Sequence, residues 1–412
     1  MNKIRLAQLS FALAALGFTA AAPIVGLGSV AIAAESVRPE IGGPLTEAQK
    51  LMKANKHKEA LAKLRELDSV GGKTPNEVYL IERTRAAAAA AAGDNEQAAK
   101  AFEALLSSGK LSKDEASKFN EGLIGIYTRM KAYDKANAAI AKSNDPKMRV
   151  YLIQNLIAMG KTAEAMKEIQ QDISADEKAG RTPSKDNLTQ LANLQNKTGD
   201  KAGYVKTIER LASAYPTTEV WTDLLQRVQA DKNFSSRLAV DVYRLKFANG
   251  LLKKPSEYLE MGQLVIQSGA NAEAVKVIDK GFKSGLLGSG ADAQRHERLK
   301  ALAEKNVAEN AKNVATLQAS LEKQKDNDGL AALGYQLVWA GKTQEGLTMM
   351  ENAIKAGGMK YPDEAKLHLG IAYNVAGKKA QAISTWKSVG GNDGSAALAR
   401  YWVMAANRGI SG

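Results

Sequence analysis

The 412-residue chain contains no cysteine. That excludes disulfides, thiolate metal sites, a thiol nucleophile and a lipid-modified cysteine at an export junction. Histidine is scarce: His57, His296 and His368 lie far apart. None has a second His or a carboxylate in a zinc-ligand arrangement such as His-Glu-x-x-His, so all three read as surface or packing residues. Aromatic residues are 6% of the chain and do not alternate with basic ones. A base-stacking surface is therefore unsupported, and nucleic acid is not an expected partner. No Gly-x-Ser-x-Gly elbow occurs, and beyond the first thirty-odd residues no run is long and apolar enough to cross a bilayer.

What is present is a recurring unit: an apolar segment, a turn, then a second segment with a small residue at a fixed offset. In LHLGIAYNVAGKKAQAISTW it gives Leu367, Gly370, Tyr373, Gly377, Ala382 and Trp386. The same frame gives Gly334, Gly341, Gly346 and Met350, then Gly262, Gly269, Ala274 and Ile278, then Ala192, Gly199, Tyr204, Ile208 and Pro216. Upstream come Gly160 with Ala165 and Ile169, Tyr127 with Ala136 and Ile140, Gly93 with Ala98 and Phe102, and a worn copy at Leu51, Ala60 and Leu64. Apolar residues three or four apart make one helix face apolar. A turn glycine ends the first helix, and the small residue lets the second cross it closely. One such hairpin cannot bury its face alone, so copies must stack.

The pattern resembles the tetratricopeptide repeat, whose unit is about 34 residues. The family's small residue in the first helix is matched by Gly370, Gly334, Gly262 and Ala192, its aromatic by Tyr373 and Tyr127, and its terminal proline by Pro216. About eight units between Pro44 and Val389 carry the likeness, with irregular spacing. The resemblance implies an all-α, right-handed solenoid of stacked helical hairpins. It also implies a concave surface, lined by first helices, that binds peptides or extended segments. Carried onto this chain, the lining positions are Thr128, Arg129, Gln154, Asn193, Asn196, Lys197, Gln263, Gln267, Tyr335, Trp339 and Asn374. The chaperone-type carboxylate clamp of the family pairs Lys with Asn four residues on; Thr189 stands where that Lys would precede Asn193, which puts the clamp in doubt.

The N-terminus is a different object. Lys3 and Arg5 precede an uncharged apolar run, and Ala31-Ile32-Ala33 supplies a small-x-small cleavage site. Residues 1–34 therefore read as a cleaved export signal, giving a periplasmic protein with no membrane segment after cleavage. Loss of Lys3 and Arg5 takes the net charge from +13 to +11. Basic excess favours anionic partners, but stretches such as KANKHKEALAKLRELD interleave both signs and read as solvated helix surface.

Three regions follow the signal: an array over 35–216; a non-canonical helical hairpin, one repeat and a Gly-rich loop over 217–290; and a long helix, the best repeats and a capping helix over 291–412. The tract Arg85–Asp94 reads as tight packing of an alanine-rich first helix. Gly281, Gly285, Gly288 and Gly290 mark the expected bend, Ala291–Lys325 one long helix, and Leu398–Ala406 a cap on the last unit. Ser235 and Asp328 are expected helix N-caps. The two GKT triplets, at Gly160 and Gly341, lack the upstream glycine and strand of a phosphate loop and fall in repeat turns. No cofactor is expected, and no residue stands out for catalysis. An enzyme would need carboxylates or histidines converging in a closed pocket. The expected role is a non-catalytic scaffold binding protein partners in a cell-envelope assembly. The alternative is an accessory carrier of anionic polysaccharide or lipid.

Overall fold

A computed structural model describes residues 37–143 and 145–408; the export signal expected over 1–34 lies outside them. Among the described residues every regular element is a helix. The chain divides into two compact units between Ala179 and Gly180.

The first unit holds four antiparallel hairpins: α1 (Pro39–Lys53) with α2 (His57–Glu66), α3 (Pro75–Ala92) with α4 (Asn95–Ser107), α5 (Lys113–Arg129) with α6 (Tyr133–Ser143), and α7 (Arg149–Ala158) with α8 (Thr162–Lys178). Helix starts are set locally. Thr74 with Glu77 and Ser112 with Glu115 form reciprocal capping boxes at α3 and α5. The alanine tract lies in α3, where Ala86, Ala88 and Ala89 are buried against neighbouring helices. Glu77 also ties down the start of α1, accepting from the Arg38 backbone N–H and guanidinium at 3.0 Å.

The second unit holds four more hairpins and four helices outside them. The pairs are α9 (Lys185–Thr198) with α10 (Lys201–Ala214), α13 (Pro255–Gln267) with α14 (Asn271–Lys283), α16 (Asn327–Trp339) with α17 (Thr343–Ala356), and α18 (Pro362–Val375) with α19 (Lys379–Lys387). The others are α11 (Thr218–Gln229), α12 (Ala239–Ala248), α15 (Ala293–Gln324) and α20 (Ser395–Asn407). The eight hairpins coincide with the eight repeat copies in the sequence.

Turn and crossing chemistry follow the sequence pattern. Gly93, Gly160, Gly199, Gly269, Gly341 and Gly377 all have positive φ, between 74° and 90°, and in the two turns without glycine Asn55 and Lys131 take φ 58°. The crossing alanines Ala98, Ala136, Ala165, Ala274 and Ala382 are fully buried. Both GKT triplets are interhelical turns. Closest of all is the α16–α17 crossing, where glycine meets glycine. A Cβ on Gly334 would stand 2.7 Å from the Gly346 carbonyl oxygen, and one on Gly346 would strike the Gly334 carbonyl. Backbone cannot swing aside as a side chain can, so Gly346→Ala should cost about 1–3 kcal/mol. Urea unfolding followed by tryptophan fluorescence checks this; an unchanged midpoint would show that the helices separate freely.

Four expectations differ from the structure. Helices α11 and α12 do not stand as a hairpin of their own: α11 packs on α10, and α12 on α13 and α20. The terminal helix α20 covers α18 and α19 as a cap would, yet it also returns to α10 and α12. Trp221 on α11 meets Tyr401 on α20 edge to face at 6.3 Å, and Arg408 donates to Asn249 Oδ1 at 2.8 Å. The glycine-rich stretch is folded back inside this unit: Gly281 belongs to α14, Leu287 is buried, and the Gly288 N–H donates to His296 Nδ1 at 3.1 Å. Neither expected cap forms. Ser235 makes no capping bond, and α16 is capped by Asp326, while Asp328 accepts from the Lys360 and Tyr361 N–H groups at 2.7 and 3.2 Å. Asp326 wins because its side chain reaches the Gly329 N–H three residues on.

Candidate functional site

The second unit encloses a cavity of about 320 Å³ between α12, the α13–α14 turn, α16, α17 and α18. Helical spacing puts Arg237, Val240 and Arg244 on its wall from the α12 side. Tyr335 and Gln336 enter from α16, and Glu364, Ala365 and His368 from α18.

Beneath this wall lies an ion network that sequence reasoning missed. Asp241, Glu273, Arg244 and Tyr335 are 0%, 1%, 4% and 4% exposed. Arg244 grips Glu273 with two nitrogens, Nε to Oε1 at 2.9 Å and Nη2 to Oε2 at 2.7 Å. Its Nη1 donates to Asp241 Oδ1 at 2.9 Å. The Tyr335 hydroxyl donates to Glu273 Oε2 at 3.3 Å, and the guanidinium lies 4.9 Å from the Tyr335 ring centre. His368 Nε2 is 2.9 Å from Asp241 Oδ1 and 3.2 Å from Arg244 Nη1. Because an ionised carboxylate only accepts, the hydrogen bond to Asp241 puts the proton on His368 Nε2; Nε2 then cannot accept from Arg244 Nη1, and two donors converge on one carboxylate oxygen.

The electrostatics follow from this geometry. Burial alone would raise the Asp241 carboxyl, but the facing His368 and Arg244 outweigh it and bring it down to about 2. Burial likewise works against charge on Arg244, and Glu273, Tyr335 and Asp241 reverse that, holding it well above its ordinary value. Burial pushes the Tyr335 phenol well up. In the first unit, the hydrogen bond from Arg38 and the backbone amides hold Glu77 at about 2.

Both carboxyls are depressed in the folded state, so their stabilisation is full above their unfolded values near pH 4 and is lost as pH falls through the folded ones. Between about pH 4 and pH 2 the unfolded chain takes up protons that the folded chain refuses. For Asp241 the loss is on the order of 2 kcal/mol. Urea midpoints measured from pH 6 to pH 2 should fall across that window; Asp241→Asn, already destabilised, should show a shallower slope. A parallel slope in the variant would contradict the assignment.

The sequence-derived lining residues fall in both units. Thr128, Arg129 and Gln154 belong to the first unit and the others to the second. Arg129, Gln154, Asn193, Asn196, Lys197, Gln263 and Gln267 are exposed; Asn193, Asn196 and Lys197 share one face of α9, and Gln263 and Gln267 one face of α13. Thr128 is half-buried and donates to the Oδ1 of fully buried Asn155 at 3.1 Å. Trp339 and Asn374 are half-buried. Tyr335 is corrected from an open groove position to a buried one, because Arg244 of α12 and His368 of α18 cover its ring. No local signal in the sequence singled out the network: Asp241 and Arg244 stand at i, i+3 like many solvated pairs, and only the burial of α12 sets them apart.

No family model matches this chain, and no curated protein matches it. Among solved structures it is similar to the pentatricopeptide repeat protein PPR10 from maize, at 14% identity over 89% of this chain, with a TM-score of 0.30. The chain spans 62% of the length of that maize protein. It is similar to yeast Tom70 at 14% identity, covering 90% of this chain and 96% of that one, with a TM-score of 0.22. The tetratricopeptide domain of P58(IPK) gives 12% identity, 89% and 99% coverage and a TM-score of 0.19. The assignment rests on this chain's own hairpins: left-handed turns, small crossing residues and neighbour-on-neighbour stacking. The chain is an all-α helical-repeat protein of tetratricopeptide-like hairpins.

Proposed function

We propose that this chain is a non-catalytic repeat scaffold of the bacterial periplasm, presenting helix faces to a protein partner in a cell-envelope assembly. One observation carries the reading: stacked hairpins hold exposed polar side chains such as Asn193, Asn196, Gln263 and Gln267 on rigid first helices. A preformed surface of this kind binds an extended segment with little ordering cost on its own side. The convergence of Asp241, Glu273 and His368 does not favour an enzyme. Both carboxylates are engaged by Arg244, and neither Asp241 nor Arg244 exchanges a proton near neutral pH.

The test is in-cell crosslinking of the tagged chain, with mass spectrometry to locate the linked residues and the N-terminus of the exported form. Recurrent protein partners linked near Asn193 or Gln263, on a chain beginning near Glu35, are the expected result. Co-purification with polysaccharide or lipid and no linked protein would replace the scaffold with a polymer carrier. An uncleaved N-terminus would refute the periplasmic placement.

A further inference from the structure

The end of α12, the start of α13 and the end of α14 meet at one place. Lys280 of α14 holds its ammonium 4.4 Å from the centre of the Phe247 ring of α12, and that ring meets Tyr258 of α13 edge to face at 6.3 Å. Tyr258 lies over Gly281 of α14, where a Cβ would stand 3.1 Å from its ring. These segments, with the link between α12 and α13, carry Lys246, Lys253, Lys254, Lys276, Lys280 and Lys283. None of the six is ion-paired among the described residues. The carboxylates beside them are already engaged. Arg244 holds buried Asp241 and Glu273, Lys300 holds Asp279 at 2.7 Å, and the Lys253 and Lys254 N–H groups donate to Glu257 at 2.9 and 3.1 Å. Glu260 accepts from the Tyr243 hydroxyl. The next charged groups along the chain, Asp292, Arg295, Glu297 and Arg298, balance one another.

Helix electrostatics explain only part of this cluster. Cations in a last turn suit the helix dipole, which accounts for Lys246, Lys280 and Lys283. Lys253 and Lys254 stand at the N-terminus of α13, where the same dipole opposes them, and Lys276 stands mid-helix in α14. We propose that this surface docks an acidic, extended segment of a protein partner, its carboxylates against the six ammonium groups. The inference rests on the scaffold reading and gives the partner its chemistry. Lys276, Lys280 and Lys283 share the exposed face of α14 along about 10 Å, which an extended chain crosses in about three residues. Lys246 and Lys280 already hold their ammonium groups over the Tyr243 and Phe247 rings, at 4.7 and 4.4 Å, so less order is lost on binding. A polysaccharide is less suited, because Tyr243 and Tyr258 are buried and Lys280 lies over Phe247, where a sugar would stack. A membrane is less suited too: the exposed large apolar side chains of this unit, Leu302 and Leu317, stand on α15.

The test is binding of fluorescein-labelled, end-blocked deca-glutamate to the chain from Glu35 onward, read by anisotropy. Unlabelled deca-glutamine, alginate and phosphatidylglycerol vesicles serve as competitors. Deca-glutamate should bind saturably, more weakly as salt rises, and deca-glutamine should not displace it. Lys276→Gln, Lys280→Gln and Lys283→Gln together should weaken binding about tenfold. Lys201→Gln, Lys312→Gln and Lys387→Gln remove the same charge from exposed positions elsewhere and should change it less than about twofold. Equal losses in the two triple variants would mean that net charge, and not this surface, does the binding, and would overturn the proposal. So would the absence of saturable binding. Stronger displacement by alginate or by the vesicles, at equal charge concentration, would overturn it in favour of polysaccharide or lipid. Crosslinked protein partners without any binding of deca-glutamate would remove this inference and leave the scaffold reading standing.

Discussion

Arg244→Met is expected to lower the stability of the second unit by about 3–5 kcal/mol. The substitution keeps the volume apolar and leaves Asp241 and Glu273, 0% and 1% exposed, without their cation. Removing one member of a buried ion network costs more than the network contributes, because desolvated charges are stranded. The same argument fixes the control. A triple variant, Arg244→Met with Asp241→Asn and Glu273→Gln, strands no charge and should recover most of the loss. All four tryptophans, Trp221, Trp339, Trp386 and Trp402, lie in this unit, so fluorescence-monitored urea unfolding reads it specifically. If the triple variant is no more stable than Arg244→Met, packing and not charge is what Arg244 supplies.

Trp386→Ala should cost a similar about 3–5 kcal/mol. This side chain is 1% exposed, donates from Nε1 to the Leu367 carbonyl at 3.1 Å and stacks on Trp402 with centroids 5.4 Å apart. It also fills the space over Gly370, where any Cβ would strike the indole. Truncation therefore opens a cavity at the α18–α19 crossing and leaves the Leu367 carbonyl to find another donor. Trp386→Phe keeps the ring and loses the donor, and should cost roughly 1–2 kcal/mol. A small effect of the alanine variant would mean that α19 collapses inward to refill the site, which the backbone approach of Gly370 argues against.

The repeat was legible because its determinants are local. A left-handed turn favours glycine at a fixed place, which six of the eight hairpins supply, and a close crossing needs a small side chain five residues later, as at Gly377 and Ala382. Helix α15 was legible for the same reason, as an uninterrupted stretch running from Ala293 to Gln324. The ion network was not. Its members come from α12, α14, α16 and α18, and His368 meets Asp241 across 127 positions. In sequence, Asp241 and Arg244 look like any solvated i, i+3 pair. Tyr335 was misplaced by the same omission, since nothing local says that α12 and α18 will cover a position that faces an open groove in an extended array. The cap of α16 is a smaller case: Asp328 is expected there, but Asp326, two residues earlier, caps the helix through the Gly329 N–H while Asp328 is engaged by the distant turn at Lys360 and Tyr361.

The return of α20 has a bearing on how this protein comes into being. Arg400 reaches Glu209 across 191 positions and Arg408 reaches the Ala212 carbonyl across 196. A plain repeat array matures pair by pair as the chain lengthens, each hairpin docking on the one before it. Here α10, α11 and α12 must wait for the final helix before Trp221 gains its cover. Such distant pairings slow folding and leave an intermediate with uncovered apolar surface. Synthesis that stops just short of α20 would thus yield a sticky, protease-sensitive chain, not a slightly shorter repeat array.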